Sequence, residues 1–473
     1  MPGGSTSRYA PLVVVALTLA MVAGCAPKGT VDSRSVPNER AGGTLPTIES
    51  MPNVVMLLVD TLRADALGAY GCPYDTSPEL DQLAKQGVVF RHVLAQSPWT
   101  RPSIGSLLTS CYPRTIGIYK EQDEILPGAF VTLAEALQSH GYKTIGVHAN
   151  PNINSFFNFQ QGFDVYIGSE IWYNFMRPEP GRKRFRQSTL ASSRELFDKA
   201  FELIEPKEDR PYYLQFVLMD VHEWYRGAHD LTRNEYRDMF RDAPNSTYLA
   251  PVRQTSADIQ AFIDRLIAKP GWENTLFIVV ADHGEGLDSH PDVYRSKWHG
   301  RLLYESQLRV PQIWWNPAWP DHGIEVNQRV RLLDLMPTLL DYLGFPAPAG
   351  VQGTSVLPLI NDPGATVNLP PYFAVETALR EHDKAGVYGP DWKYIEAYDK
   401  HKGMDPKELQ AMGVAENGTK TNRIAEHPEV AADMARYLNE WREAHPKAAP
   451  LAPGAEMSEE TVEQLKAIGY LDD

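Results

Sequence analysis

Residues 97–109 read Ser97-Pro98-Trp99-Thr100-Arg101-Pro102-Ser103-Ile104-Gly105-Ser106-Leu107-Leu108-Thr109, a loop that turns abruptly into a helix. Pro102 suits a first helical position, where its missing N–H leaves no bond unmade, and a hydroxyl residue close before it can cap. Thr100 is therefore expected at a helix mouth. A hydroxyl held there faces unpaired backbone N–H groups and the positive end of the helix dipole, which favours an anionic ester and an oxygen made nucleophilic by a metal. An ordinary capped helix explains the same residues, so the stretch needs partners elsewhere in the chain.

Working outward, those partners stand at the ends of apolar runs. Pro52 to Val59 is continuously apolar after Asn53 and closes on Asp60, the pattern of a strand buried on both faces of a parallel sheet. Asp60 then lies at the carboxyl end of that strand, where open α/β sheets place ligands. Lys143 to Ala149 reads as a second buried strand, and Tyr212 to Met219 as another that delivers Asp220 and His222. Asn274 to Ala281, β-branched and aromatic, delivers Asp282-His283-Gly284-Glu285-Gly286. Adjacent residues of an irregular loop can both face one ion when the next is Gly. A neutral imidazole nitrogen beside oxygen ligands suits a borderline metal, whereas all-oxygen sites suit calcium. Helices are expected over Ser77 to Gln86, Thr132 to His140, Leu190 to Ile204 and Ser256 to Ala268, and a further strand over Val310 to Asn316. Beyond about residue 365, Tyr372 to Glu376 and Trp392 to Ile395 read as strands of a smaller sheet, and Ser458 to Ile468 as a last helix closed by Gly469.

The pattern around Thr100 resembles the nucleophile loop of the sulfatase branch of the alkaline phosphatase superfamily, usually C-x-P-S-R-x-x-L-L-T-G. Matching Pro102, Ser103, Leu107, Leu108 and Thr109 puts Thr100 on the Cys or Ser that sulfatases convert to formylglycine. Threonine cannot form that aldehyde. The resemblance then implies an unmodified threonine alkoxide, as in the phosphodiesterase and the phosphoethanolamine or phosphoglycerol transferase relatives. Ile104 stands where the family has Arg, and Ser110 where it has Gly. Asp60-Thr61 resembles the start of the family's first metal loop with its second Asp lost, and Asp282-His283-Gly284-Glu285 resembles its later metal loop. Asp220-Val221-His222-Glu223-Trp224-Tyr225 resembles D-x-H-x-P-Y, whose His binds an ester oxygen or protonates the leaving group. Lys297-Trp298-His299-Gly300 with Glu305 resembles (K/H)-G-x-x-x-x-E, which selects His299 by spacing, with Lys297 and His290 as weaker candidates. Asn150-Pro151-Asn152 resembles a structural loop of the family that can approach the site. Cys111-Tyr112-Pro113-Arg114-Thr115 imitates a formylglycine signal but lies beyond the L-L-T helix, and Cys111 reads as structural.

The resemblance implies an α/β/α sandwich with a mixed central sheet, over residues 51–360, and a smaller C-terminal α+β subdomain over 361–473. It implies one divalent ion held by Asp60, Thr100, Asp282 and His283, either Ca2+ as in sulfatases or Mn2+ or Zn2+. The ion would lower the pKa of the Thr100 hydroxyl, and His222 and His299 would stabilise transition-state charge. The implied substrate is a sulfate or phosphate ester. Two other readings stay open: a transferase moving phosphoethanolamine or phosphoglycerol to envelope glycans or lipids, and a non-catalytic lipoprotein that binds an anionic glycan.

The remaining bounds come from charge, cysteine and the N-terminus. The 473-residue chain has a formal net charge of −15, which argues against a nucleic-acid partner. Arg8, an apolar run from Pro11 to Ala23, and Gly24-Cys25 read as a signal peptide, because the run is shorter than the ~20 residues a spanning helix needs. Val22-Ala23-Gly24-Cys25 resembles a bacterial lipobox, which implies an exported envelope protein held to a membrane by lipid chains on Cys25. Residues 26–50, rich in Pro, Gly, Ser and charge, read as a flexible tether. Export allows Cys72 and Cys111 to pair but does not bring them together. Oligomeric state is not legible.

Overall fold

β1 (Asn53–Val59) is buried along its whole length and lies inside an eight-stranded sheet. The structure, a computed structural model, describes residues 51–467 apart from 120–123, 170, 172–189, 206, 227–231, 294–295, 320–322, 363–364, 380–381, 401, 413–421 and 455. The signal peptide, the Cys25 lipobox, the 26–50 tether and Gly469 lie outside the described residues.

The further strands of the main body are β2 (Val88–Phe90), β3 (Val93–Leu94), β4 (Lys143–His148), β5 (Val165–Ile167), β6 (Tyr212–Leu218), β7 (Thr275–Val280), β8 (Arg309–Val310), β9 (Gln312–Trp315), β10 (Ile324–Val326) and β11 (Val330–Arg331). The large sheet has the order β10-β2-β9-β7-β1-β6-β4-β5. β7, β1, β6, β4 and β5 run parallel, and β9 alone runs antiparallel to its neighbours β7 and β2. The sheet is thus mixed, as expected. β3, β8 and β11 form a small second sheet.

Register decides where the site falls. Val59 pairs with Leu218 of β6 and Leu58 with Val280 of β7, so the residues after β1, β6 and β7 emerge side by side at one edge. The apolar side chains of Val54 to Val59 are fully buried, each contributing about 1.5–3 kcal/mol of transfer energy before chain entropy is set against it. That anchors the edge on which Asp60 sits.

Helices flank the sheet, some with boundaries other than expected. Thr132 caps Leu133–Ser139 in a capping box with Glu135, as its hydroxyl and the Glu three residues on predict. The helix expected from Ser256 begins earlier, spanning Ser246–Ile267 with Pro251 inside it. The run Val310 to Asn316 is split into β8 and β9 by Pro311. Cys72 is a free thiol, so the Cys72–Cys111 pairing is not made. Among the described residues no helix is long and apolar enough to cross a membrane.

The C-terminal part is an antiparallel sheet of β12 (Phe373–Thr377), β13 (Lys384–Tyr388), β14 (Trp392–Ala397) and β15 (Lys407–Ala411). The helix Pro428–Ala444 buries Ala431, Met434, Leu438 and Trp441, the spacing of one helix face. Tyr112 and Leu333 of the main body complete that second core. Thr377 donates to the Gly300 carbonyl at 2.7 Å, and the Gly300 N–H donates to the Pro98 carbonyl at 2.9 Å. The small sheet therefore braces the loops that carry His299 and Thr100.

Candidate active site

The helix begins at Thr100 itself and runs to Thr109, with Trp99 at the N-cap making no side-chain cap bond. Pro102 is the third helical residue rather than the first. Thr100 is not the capping hydroxyl: its Oγ1 lies 3.3 Å from Asp60 Oδ2 and 3.3 Å from His283 Nε2. Ser103, one turn on, donates to the Asp282 carbonyl at 2.6 Å, which pins this helix to the loop after β7. Ile104 is fully buried in the core. Arg101 donates to the Asn152 carbonyl at 3.1 Å and stacks 3.6 Å from the Phe157 ring centre.

Asp60, Asp282 and His283, all fully buried, offer ligand atoms within 4.8 Å of one another. His283 Nε2 lies 3.7 Å from Asp60 Oδ1 and 3.4 Å from Asp282 Oδ2. The Nδ1 side of His283 faces the Gly284 carbonyl at 2.9 Å, which places the ring proton there and leaves the Nε2 lone pair to the site. Among the described residues, Asp60 Oδ1 and Asp282 Oδ2 have no hydrogen-bond donor.

Burial, followed by the charge of Asp282, raises the Asp60 pKa. Burial pushes Asp282 up to about 6 and pulls His283 down to about 4, with His299 adding to the fall. Two buried carboxylates, each with one oxygen that no donor meets among the described residues, are costly beside a neutral imidazole unless a cation joins them. Two orphaned oxygens, an aimed nitrogen and a hydroxyl fit one divalent ion, and the mixed N/O set suits a borderline metal better than an all-oxygen one.

Two neighbours were less legible. Thr61, where the family pattern has a second Asp, turns its hydroxyl to the Asp60 carbonyl at 2.6 Å. Its backbone, at φ 60°, points the N–H at Asp282 Oδ1, 3.3 Å away. Asn150, just beyond the carboxyl end of β4, donates to Asp60 Oδ2 at 2.5 Å. Both orient a carboxylate of the cluster.

His222 and His299 stand beside this group, with ring centres 5.2 Å apart and His299 4.8 Å from His283. His222 faces Glu223 through Nδ1 at 3.2 Å, and its Nε2 has no partner among the described residues. Burial alone would depress the His222 pKa, but the Glu223 bond and the charges of Asp60, Glu223 and Glu285 raise it. His299 Nδ1 lies 3.0 Å from Glu285 Oε2, which also accepts from Trp224 Nε1 at 3.0 Å. Burial works against the Glu285 carboxylate, yet His299, Trp224 and the Gly286 N–H hold its pKa below the ordinary value. A Cβ on Gly286 would collide with the Ser296 carbonyl, so this loop accepts only glycine there. Glu285 carried no assigned role in the sequence, although its place two residues after His283 was a usable signal. His290 packs on Tyr304, ring centres 4.1 Å apart, and Lys297 lies over Trp224.

The family described as Sulfatase matches residues 52–345, and the family described as N-sulphoglucosamine sulphohydrolase, C-terminal matches residues 295–443. The chain is 26% identical over 342 residues to an ulvan-active sulfatase of Formosa agariphila, covering 66% of this chain and 65% of that protein. It is 22% identical to a Δ4,5-hexuronate-2-O-sulfatase of Bacteroides thetaiotaomicron, covering 87% of this chain and 95% of that one. Its fold is shared with the solved phosphonate monoester hydrolase of Agrobacterium radiobacter, at TM-score 0.66 and 18% identity over 83% of this chain and 96% of that one. It is shared as well with a protein solved in complex with its substrate D-glucosamine-2-N,6-O-disulfate, at TM-score 0.64 and 18% identity over 85% and 99%. The 52–345 match starts at the strand that delivers Asp60 and ends past the loop of His299, so the whole convergent site lies inside it, and the chain belongs to the sulfatase family.

Proposed function

We propose that this chain is a metal-dependent hydrolase of sulfate or phosphate esters in which Thr100 is the nucleophile. One observation carries the reading: the Thr100 hydroxyl stands 3.3 Å from both Asp60 and His283, within a cluster that fits a divalent ion. Asp60, Asp282 and His283, with Thr100, would hold that ion, which supplies Lewis acidity that favours the alkoxide and the developing negative charge of the ester. Thr100 Oγ1 attacks the sulfur or phosphorus, the hydroxyl proton passing toward Asp60 Oδ2. As the bond to the leaving oxygen breaks, His222 and His299 present Nε2 to the departing group, which takes a proton from one of them. Water then attacks the esterified Thr100 and releases sulfate or phosphate.

Proteins similar to this chain act on sulfated sugars, and a fold neighbour is a phosphonate monoester hydrolase, which supports an ester of sulfur or of phosphorus as substrate. The absence of a formylglycine precursor at position 100 tilts the choice toward phosphoryl esters. The test is a panel of 4-nitrophenyl sulfate, 4-nitrophenyl phosphate and ethyl 4-nitrophenyl phosphate on protein reconstituted in turn with Ca2+, Mn2+ and Zn2+, wild type beside Thr100→Ala. Turnover lost in Thr100→Ala is expected. No turnover of any ester favours a glycan-binding protein, and an unimpaired variant removes Thr100 as nucleophile.

The lipobox reading adds a location: we propose export and anchoring through acylated Cys25. A fatty-acid probe that labels wild type and not Cys25→Ala supports it, and an unlabelled wild type rejects it.

A further inference from the structure

Arg63 stands just beyond Asp60 and Thr61, and its side chain is only 12% exposed. Its N–H donates to Tyr248 Oη at 2.9 Å, and that hydroxyl donates in turn to the Thr61 carbonyl at 2.7 Å. The segment after β1 is thereby fixed to the helix Ser246–Ile267. From there the stem of Arg63 crosses to the loop after β7 and lies against Gly284, where a Cβ would meet its Cγ at 3.2 Å.

The guanidinium serves two sides at once. Nη1 donates to the carbonyls of Glu285 at 3.2 Å and Gly286 at 3.3 Å, and to Ser289 Oγ at 2.8 Å. Nε and Nη2 form a fork on the Asp65 carboxylate, at 2.8 and 2.6 Å. A planar group with donors in fixed directions can hold both sides together, and the point charge of a lysine cannot.

An arginine beside an exposed aspartate is usually an ordinary surface pair. This one differs in where its other acceptors lie, since all that Nη1 meets falls between Glu285 and Ser289, directly after His283. That stretch does not keep its shape by its own preferences. Leu287 and Asp288 both lie in the left-handed region, at φ 49° and 57°, which residues other than glycine hold only where their surroundings impose it. The Leu287 N–H bond to the Lys297 carbonyl, at 2.9 Å, fixes the far side of the stretch, and Arg63 fixes the near side. Glu285, at its start, is the residue whose one carboxylate oxygen meets both Trp224 Nε1 and His299 Nδ1.

We infer that Arg63 is a positioning residue: its guanidinium holds the backbone of Glu285 and Gly286 so that the Glu285 carboxylate reaches His299 and Trp224. Its effect on rate rests on the ester-cleaving reading of the site; its effect on Glu285 does not. Arg63 and Asp65 line a cavity of about 450 Å³ that Cys72, Tyr74, Tyr248 and Leu287 also border. Asp65 and Tyr74 are exposed, so once the side chain is cut back a small cation from solution can take the place of the guanidinium.

The experiment is Arg63→Ala with and without millimolar methylguanidinium, methylammonium being the control. The indole N–H resonance of Trp224, assigned in isotope-labelled protein by its loss in Trp224→Phe, reports on Glu285 without turnover. It should shift in Arg63→Ala and return with methylguanidinium but not with methylammonium. With the ester that wild type cleaves best, kcat should fall about thirtyfold and KM change less than about twofold, inside the hundredfold that a misplacement of about 1 Å can cost. Methylguanidinium should recover most of that loss, and Arg63→Lys should resemble Arg63→Ala. Should Arg63→Ala not fold, Arg63→Ser carries the same comparison. An unmoved Trp224 resonance, rescue by methylammonium as good as by methylguanidinium, or wild-type kcat in Arg63→Lys overturns the inference. No turnover of any ester by wild type, with the Trp224 shift and its rescue intact, supports the role of Arg63 and counts against the catalytic reading.

Discussion

The Nε2 atom of His283 lies 3.3 Å from Oγ1 of Thr100, a residue 183 positions away in sequence. The bond from the Nδ1 edge of the ring to the Gly284 carbonyl leaves Nε2 its lone pair, so the hydroxyl meets a bare ring nitrogen and not an N–H. That is the setting the proposed nucleophile requires.

Thr100→Val keeps the shape and removes the oxygen. Turnover should fall about a thousandfold or more, as for other nucleophile deletions, while Thr100→Ser should keep activity within about tenfold of wild type. Intact mass after rapid quenching should show a sulfuryl or phosphoryl adduct on wild type and none on Thr100→Val. An adduct elsewhere, or none during turnover, contradicts covalent catalysis by Thr100.

Removing a metal leaves Asp60 and Asp282 together without a counter-ion. Chelation should lower Tm by about 5 °C, and saturating divalent ion should restore it. Because Asp282 is raised to about 6, protons compete with the ion, so affinity should weaken as pH falls through that value. A Tm indifferent to chelator and to every ion tried would contradict a metal centre.

Asn150 donates to Asp60 Oδ2, the same oxygen that Thr100 meets, while its own Oδ1 accepts from the Asn152 N–H. Asn150→Leu should weaken metal binding by about 10- to 100-fold, the usual effect of losing a group that orients a ligand. Metal titration followed by thermal shift gives the number, and unchanged affinity would leave Asn150 a purely structural role.

Glu285 positions His299, so Glu285→Leu should lower kcat by about a hundredfold, the typical contribution of a placed acid or base. KM should change far less. Glu285→Gln, still able to accept from His299 Nδ1, should retain more activity than Glu285→Leu. Equal losses in kcat and 1/KM for esters of good and poor leaving alcohols would indicate general disruption instead.

His148, at the end of β4 against Tyr166, has its pKa pulled from 6.5 down to about 3 by burial. The folded state holds the neutral ring while the unfolded chain takes up a proton below pH 6.5. Its contribution to stability is therefore complete above about 6.5 and is lost as pH falls toward 3. Between pH 6.5 and 4.5 the loss should be about 2 kcal/mol. Urea unfolding of wild type and His148→Gln at both pH values should show the gap between them shrinking at the lower one.

Much of this site could be read from sequence because its chemistry sits at strand ends. Apolar runs closing on Asp60, Asp220 and Asp282 mark the edge of a parallel sheet without reference to any coordinates. Contacts that depend on backbone direction were out of reach. Thr61 serves through its N–H in a left-handed conformation, and nothing in a threonine side chain announces that. The Thr100 helix starts two residues earlier than Pro102 suggests, because the strand-end carboxylate and His283 outcompete the cap for the hydroxyl. Pro311 splits the stretch read as one strand into β8 and β9, and that β9 runs antiparallel follows from pairing with β7 and β2, which no local pattern encodes. Pro251 argued against the first turns of the helix Ser246–Ile267, and tertiary packing of Tyr248, Leu249 and Val252 overrode it.

Parallel strands joined by crossovers separate neighbours widely: the Thr61 N–H and the Asp282 carboxylate that meet at this edge are 221 residues apart. No early stretch of chain can assemble the cluster alone. During synthesis the two carboxylates of the proposed ion site stay scattered until β7 slots in beside β1, and long-range pairings of this kind form slowly. Binding of the proposed cation would thus come late in folding, after most of the chain has already folded.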